Sequence, residues 1–281
     1  MLHRLKIAVI LLFLCLNSLQ AQEADRPIFN KGFSLYSSGD MQGAIKYFSQ
    51  SLESEKRSAQ TYLYRAMAFK STGELLAAIN DLSSGISIDS LNPHYFFLRA
   101  QLYMELRKSD LAYDDCTRGI DLDEDHLELR ILRGTLALIK GEHELAVEDL
   151  HQAVILGADQ PDIFYMRAEA NAATGQWAAA AEDLTTLINL YNRRDTNLYF
   201  SRGEAFYLTG AYQSAIRDFT TVIKNNPDMQ PAYLYRAKAS FCLERYSDAL
   251  SDLQTALNMQ PDCEDSRELK QTIDTILGYR Q

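Results

Sequence analysis

The chain has little that would tie it to a membrane, to nucleic acid or to small-molecule chemistry. Its longest apolar run, Ile7 to Leu16, is about ten residues, half of the ~20 that a membrane-crossing helix requires. Cysteines number four in 281 residues, and Cys116, Cys242 and Cys263 stand too far apart to suggest a disulfide framework. They read as small buried hydrophobes, with Cys242 and Cys263 the one sequence-near pair to consider for a bridge. No Asn-x-Ser/Thr triplet occurs, so N-glycans are not expected. Neither Gly-Lys-Ser/Thr nor Gly-x-Ser-x-Gly occurs, which removes the nucleotide loop and the serine-nucleophile elbow. Basic residues are outnumbered 28 to 38, a net charge of −10. An acidic body repels phosphate backbones, so nucleic acid and anionic membrane surfaces are poor partners, and basic or amphipathic polypeptides better ones.

Chemistry-bearing clusters are equally sparse. His94, His126, His143 and His151 are scattered without metal-ligand spacing and read as solvated surface side chains. Asp121, Asp123 and Asp125 alternate as in a calcium loop, but His126 takes the place of the glycine the turn needs, and Leu132 that of the bidentate Glu. They read as an acidic loop. Glu169 and Glu204 are the carboxylate pair worth noting, yet nothing else in the sequence builds a catalytic pocket around them. No enzymatic activity, cofactor or metal is expected.

What is present is a repeat. Gly32, Ala66, Ala100, Gly134, Ala168, Gly203 and Ala237 recur every 34 residues, with one step of 35. Ala44, Ala78, Ala112, Ala146, Ala180, Ala215 and Ala249 recur in the same way, twelve residues later. Apolar residues between them have helical period, as in Tyr62, Ala66, Phe69 and then Leu75, Ala78, Ile79, Leu82, Ile86. Gly39, Gly73, Gly141, Gly175 and Gly210 fall midway, where a left-handed residue ends one helix before the next. Pro93, Pro161, Pro227, Pro231 and Pro261 fall where one unit gives way to another. Each unit is therefore a helical hairpin whose two small residues let the backbones approach, with Phe48, Leu82, Leu150, Leu184, Phe219 and Leu253 packing back onto the first helix. Copy three, with Arg107 at the turn and Cys116 in place of Leu or Phe, is expected to be less regular.

Six copies carry Arg65, Arg99, Arg133, Arg167, Arg202 and Arg236 together with Asp81, Asp115, Asp149, Asp183, Asp218 and Asp252, whereas copy one has Lys31 and Tyr47. A basic groove is one reading. An ion-pair ladder is preferred, because charges so regularly matched satisfy each other. Closure within a hairpin spans 16 residues and closure between neighbours spans 18, and the joint change in copy one leans to the first.

The unit of 34, with an aromatic residue, then Gly or Ala, a Gly turn, Ala and Pro at fixed places, resembles the tetratricopeptide repeat (TPR). The resemblance covers residues 25 to 263, in units near 25–58, 59–92, 93–126, 127–160, 161–195, 196–229 and 230–263. It implies an all-α fold, an α-α superhelix (solenoid) of about seven hairpins, closed by a capping helix within 264–281. In that family the inner wall comes from fixed places of each first helix. Carried over, the peptide-binding groove includes Phe97, Gln101, Ile131, Tyr165, Glu169, Phe200, Glu204, Tyr207, Lys238 and Phe241. Such a wall, apolar and aromatic with acidic points, suits a peptide or amphipathic helix with basic and apolar residues. For Phe97 and Phe200 the alternative is packing from helix to helix. The convex side, with Lys46, Ser83, Glu148, Glu182 and Arg217, is expected to be solvated.

Residues 1–21 differ from the rest. His3, Arg4 and Lys6 precede the apolar run, and Asn17 to Ala21 lead to an acidic stretch, the pattern of a secretory signal peptide cleaved after Ala21. An uncleaved anchor is the alternative. The expectation is a non-enzymatic protein-protein interaction scaffold of the cell envelope, periplasmic or secreted, with no membrane span after cleavage. A carbohydrate or peptidoglycan receptor stacking its ligand on Tyr165, Phe200, Tyr207 and Phe241 is the second possibility.

Overall fold

The computed structural model describes residues 26–54, 58–193 and 195–279; the expected signal peptide lies outside them. The described residues form fifteen α-helices and no strand, the all-α class expected. The chain divides between Leu132 and Arg133 into two bodies. The first holds α1 (Pro27–Ser37), α2 (Met41–Ser54), α3 (Ala59–Ser71), α4 (Leu75–Ile88), α5 (Pro93–Glu105), α6 (Ser109–Leu122) and the first residues of α7 (Leu127–Lys140). There α1 packs on α2, α3 on α4 and α5 on α6, while α3 and α5 also lie against the preceding hairpin. The second body holds the rest of α7, then α8 (His143–Ile155), α9 (Pro161–Ala173), α10 (Trp177–Asn189), α11 (Thr196–Leu208), α12 (Tyr212–Asn225), α13 (Gln230–Cys242), α14 (Tyr246–Met259) and α15 (Glu264–Tyr279). Its pairs α9/α10, α11/α12 and α13/α14 stack in the same manner, and α15 lies on α14.

The turns inside the hairpins share one geometry. Gly73 has φ 83°, its N–H reaches the Lys70 carbonyl, and the Glu74 N–H reaches that of Phe69, the paired bonds that satisfy the last carbonyls of a helix. Arg107 takes the same left-handed conformation, φ 56°, with the equivalent bonds to Met104 and, from Lys108, to Tyr103. Copy three is thus regular after all, because the hydrogen bonds of the turn hold a side-chain-bearing residue where glycine is easier. Glu244 does likewise, φ 56°.

The crossing of the two helices explains the small residues. Ala44, Ala146, Ala215 and Ala249 have no exposed surface. A Cβ on Gly32 would lie 2.8 Å from the Phe48 ring, and one on Gly203 would lie 2.9 Å from Phe219. Both rings are fully buried and cannot retreat, so phenylalanine on the second helix demands glycine on the first. Where the second helix offers Leu82, Leu184 or Leu253, the first carries Ala66, Ala168 or Ala237.

The arginines and aspartates form the expected pairs, within each hairpin. Arg65 donates to both oxygens of Asp81 at 2.7 Å, and Arg99 to Asp115 at 2.8 and 2.6 Å. In the second body, Arg133, Arg167, Arg202 and Arg236 grip Asp149, Asp183, Asp218 and Asp252 in the same two-pronged manner. A third N–H often reaches the preceding hairpin: Arg65 to Ser49 at 3.0 Å, Arg99 to Ser83 at 2.8 Å, Arg236 to Thr220 at 3.1 Å. The guanidinium also lies near rings of its own helix, Tyr62 and Phe69 for Arg65, Tyr199 and Phe206 for Arg202. Ser83 is therefore engaged rather than solvated, whereas Lys46, Glu148, Glu182 and Arg217 are exposed. Burial of six carboxylates is tolerable because each receives a bidentate, charge-assisted partner.

At the last hairpin, Ile273 of α15 is fully buried and, with Leu269 and Leu277, covers Leu234, Ala237 and Leu253. The one inserted residue of the repeat falls in the Leu190–Asp195 connection, where Asn192 turns left-handed, φ 52°, and the Arg193 N–H reaches the Leu187 carbonyl.

Candidate functional site

Side chains expected to line the groove in the first body are largely occupied. Lys70 donates to Gln101 at 3.3 Å and pairs with Glu105 at 3.4 Å. The Phe97 ring lies between His94 and His126, with centroids 6.2 and 5.7 Å away, and Ile131 is half-buried. His126 is not a solvated side chain: it is half-buried, and its Nδ1 accepts the Leu129 N–H at 3.4 Å when neutral or donates to Glu128, 3.2 Å away, when protonated. The pKa of His94 is lowered by its own burial and then by the nearby His126. Asp123 accepts the Asp125 N–H at 3.2 Å, a backbone role in the acidic turn.

In the second body, α9, α10 and α11 enclose a cavity of about 210 Å³. Pro161 opens α9 at a position where its missing N–H costs nothing, and Tyr165 and Glu169 follow one helical turn apart on one face. The turn at Gly175, closed by the Gln176 N–H on the Asn171 carbonyl at 2.7 Å, swings Trp177 to the head of α10. Ala168 and Ala180 make the close crossing beneath, and α11 adds Ser201 and Glu204. Tyr165 is 48% exposed, and Glu169 is exposed. The Tyr235 hydroxyl donates to Glu204 Oε1 at 2.8 Å and so fixes that carboxylate. Burial, and then this bond to Glu204, push the Tyr235 pKa up to about 12.

One wall of this cavity is an unusually small side chain. Ala172 stands where the other hairpins carry Tyr36, Lys70, Met104, Leu138, Tyr207 and Phe241, and the missing bulk leaves a notch over Ala168 and Leu184. Trp177 and Ala172 were not among the residues expected from the sequence. Ala172 holds a first-helix place that belongs to the family wall and was passed over for its small size, whereas Trp177 stands on a second helix, outside that wall. The available signal was the lone alanine at a place otherwise held by long residues.

The remaining expected residues part company. Tyr207, Lys238 and Phe241 line a second cavity, about 450 Å³, with Asp265 and Leu269 of α15. Lys238 is not a free groove cation: its Nζ meets Asp265 Oδ2 at 2.6 Å and stands 5.4 Å from the Tyr235 ring. That ammonium holds the Asp265 carboxyl below the usual range. Phe200 packs against Phe219 and Tyr235, centroids 5.7 Å in each case, which is the helix-to-helix alternative. Tyr207 lies on Tyr212 and Tyr235, and Phe241 on Tyr246. Cys116 is buried as expected, but Cys242 is exposed, and neither it nor Cys263 is bridged. The Cys263 thiol instead accepts the Ser266 hydroxyl at 3.2 Å.

No helix among the described residues is long and apolar enough to cross a membrane. The model of the tetratricopeptide repeat matches residues 165–229 and 209–262. No curated protein matches the sequence. Among solved structures, YrrB, described as a TPR protein with an unusual peptide-binding site, is 20% identical with a TM-score of 0.58, over 68% of this chain and 97% of that one. A tetratricopeptide repeat protein from Parabacteroides merdae is 20% identical with a TM-score of 0.54, over 88% and 97%. The C-terminal part of a TPR repeat-containing protein from Cytophaga hutchinsonii is 16% identical with a TM-score of 0.54, over 86% and 98%. At such identities the likeness is one of fold. The repeat of 34, the hairpins built on paired small residues and these matches together show an all-α tetratricopeptide-repeat fold, in which residues 165–262 match the family's own model.

Proposed function

We infer that the protein is a non-enzymatic protein-protein interaction scaffold that holds a peptide or amphipathic helix against the face presented by its first helices. The observation that carries this is the notch between α9, α10 and α11, where an exposed tyrosine and two carboxylates surround an apolar floor on a fold whose relative YrrB has a peptide-binding site. Within each body, stacked hairpins set their first helices side by side, a surface suited to an extended or helical polypeptide. The location, periplasmic or secreted and within an envelope assembly, rests on the signal-like residues 1–21 alone. The reading as a carbohydrate receptor is the less favoured, since Phe200 packs on Phe219 and Tyr235, and Tyr207 and Phe241 line a different cavity from Tyr165.

A displayed library of random peptides, selected on the full chain, tests the scaffold. Selected peptides should bind with affinities that fall at least tenfold in Tyr165→Ala and Glu169→Lys, a loss of about 1.4 kcal/mol. Unaltered affinity in both variants would place the contact elsewhere. A library that yields no binder would refute the scaffold itself.

A further inference from the structure

We propose that the notch walled by Tyr165 and Trp177 is a receptor for one cationic side chain, an arginine or lysine of the bound polypeptide, held between Glu169 and Glu204. This rests on the scaffold reading and names the chemistry of its central contact. The cavity measures about 210 Å³, below the roughly 300–1,000 Å³ of pockets that take whole small molecules, so its size suits a single side chain. Its chemistry suits a cation. Two carboxylates border it from adjacent hairpins, and an indole and a phenol supply faces on which a guanidinium or ammonium rests.

The neighbouring cations are committed to other groups. Arg167 and Arg202 are forked onto Asp183 and Asp218, and Lys238 is held by Asp265 on the capping helix. Among the described residues, neither Glu169 nor Glu204 takes part in an ion pair. Glu204 keeps one oxygen for the Tyr235 hydroxyl and has its second to offer. The floor, Ala168 and Leu184 beneath Ala172, is apolar and admits the methylene stem of the same side chain. Planarity and its fork of donors make arginine the tighter of the two cations.

Trp177 is the only tryptophan in the sequence, so its fluorescence reports this cavity and no other. The full chain is titrated with acetyl-arginine amide, acetyl-lysine amide and, as the neutral isostere, acetyl-citrulline amide. Saturable change in Trp177 emission with either cation, and none with citrulline, is expected. Glu169→Gln and Glu204→Gln should each weaken the effect about tenfold, the size of one charge-assisted hydrogen bond. Ala172→Met should abolish it while circular dichroism stays that of the native chain, because Met104 occupies the same place in the third hairpin. An equal response to citrulline, no saturable response, or a response that survives Ala172→Met overturns the proposal. The scaffold reading fails separately. Selected peptides that bind but ignore Ala172→Met and leave Trp177 unchanged would keep the scaffold and reject the notch. Amides that bind where no peptide does would keep the notch and reject the scaffold.

Discussion

The first hairpin and the six that follow are built to one plan but fastened differently. Hairpins two to seven close on an arginine-aspartate fork, and in hairpins two and three a third N–H of the arginine reaches a hydroxyl of the hairpin before. The first hairpin has Lys31, exposed, and Tyr47 in those places. Its two helices meet ring on ring, Phe29 on Phe48 at 5.6 Å between centroids, and Tyr64 of the second hairpin adds to the cluster at 6.0 and 6.2 Å. It receives a bond from Arg65 through Ser49 without sending one of its own kind. The difference shows that the fork does two jobs, closing a hairpin and tying it backwards, and that an aromatic cluster can replace the first.

Removing one partner of the fork gives the largest expected effect. Asp149 is fully buried, and Asp149→Ala leaves a desolvated guanidinium, at a cost of about 3–5 kcal/mol. Phe48→Ala should cost about as much in the first hairpin, through cavity formation. Urea unfolding of both variants checks the comparison, and a change within the ~0.5 kcal/mol typical of surface substitutions would show that either fastener is idle. Overpacking the crossing by Ala146→Leu should cost about 1–3 kcal/mol, read from the same midpoint shift.

A smaller effect belongs to pH. Tyr235 holds its proton to about pH 12 in the fold, against 10.0 ordinarily, by burial and by its bond to Glu204. The unfolded chain loses that proton first, so the stabilisation is complete below pH 10 and disappears as pH rises towards 12. Partial solvent access keeps it below the overpacking cost. Comparing the alkaline unfolding limb of Tyr235→Phe with that of the native chain measures it. Least of all, Arg107→Gly relieves a left-handed side-chain-bearing residue and should raise stability by about 0.5–1 kcal/mol, since part of the gain is returned to the more flexible unfolded chain. An unchanged unfolding midpoint would show the turn to be unstrained.

Much of the hairpin was legible because its causes are local. A left-handed turn residue, an alanine at a close crossing and an apolar side chain four places on are requirements of short-range geometry, and each leaves its mark at a fixed place in every copy. The arginine-aspartate pairs were legible for the same reason, although their third bond was not. Ser49 and Ser83 look like ordinary exposed-face serines until the preceding hairpin is set beside the guanidinium. Arg107 shows the opposite failure, since a non-glycine at a glycine place suggested irregularity that the hydrogen bonds of the turn do not permit.

The site was legible only in part. Tyr165, Glu169 and Glu204 follow from their places in the unit, but a cavity is an absence of atoms. It depends on what three helices together leave unfilled. Lys238 stands at a wall place and is nevertheless withdrawn, because α15 brings Asp265 to it.

By itself the sequence determined the repeat, its helical period, the hairpin turns and the pairing of charges, since these are set by interactions within about 20 residues of chain. Only the tertiary structure decided that Ala172 opens a notch, that Trp177 walls it, that Phe200 packs and that Lys238 is taken. Each of those outcomes turns on which side chains from neighbouring hairpins meet, and close packing settles that competition only once all of them are in place.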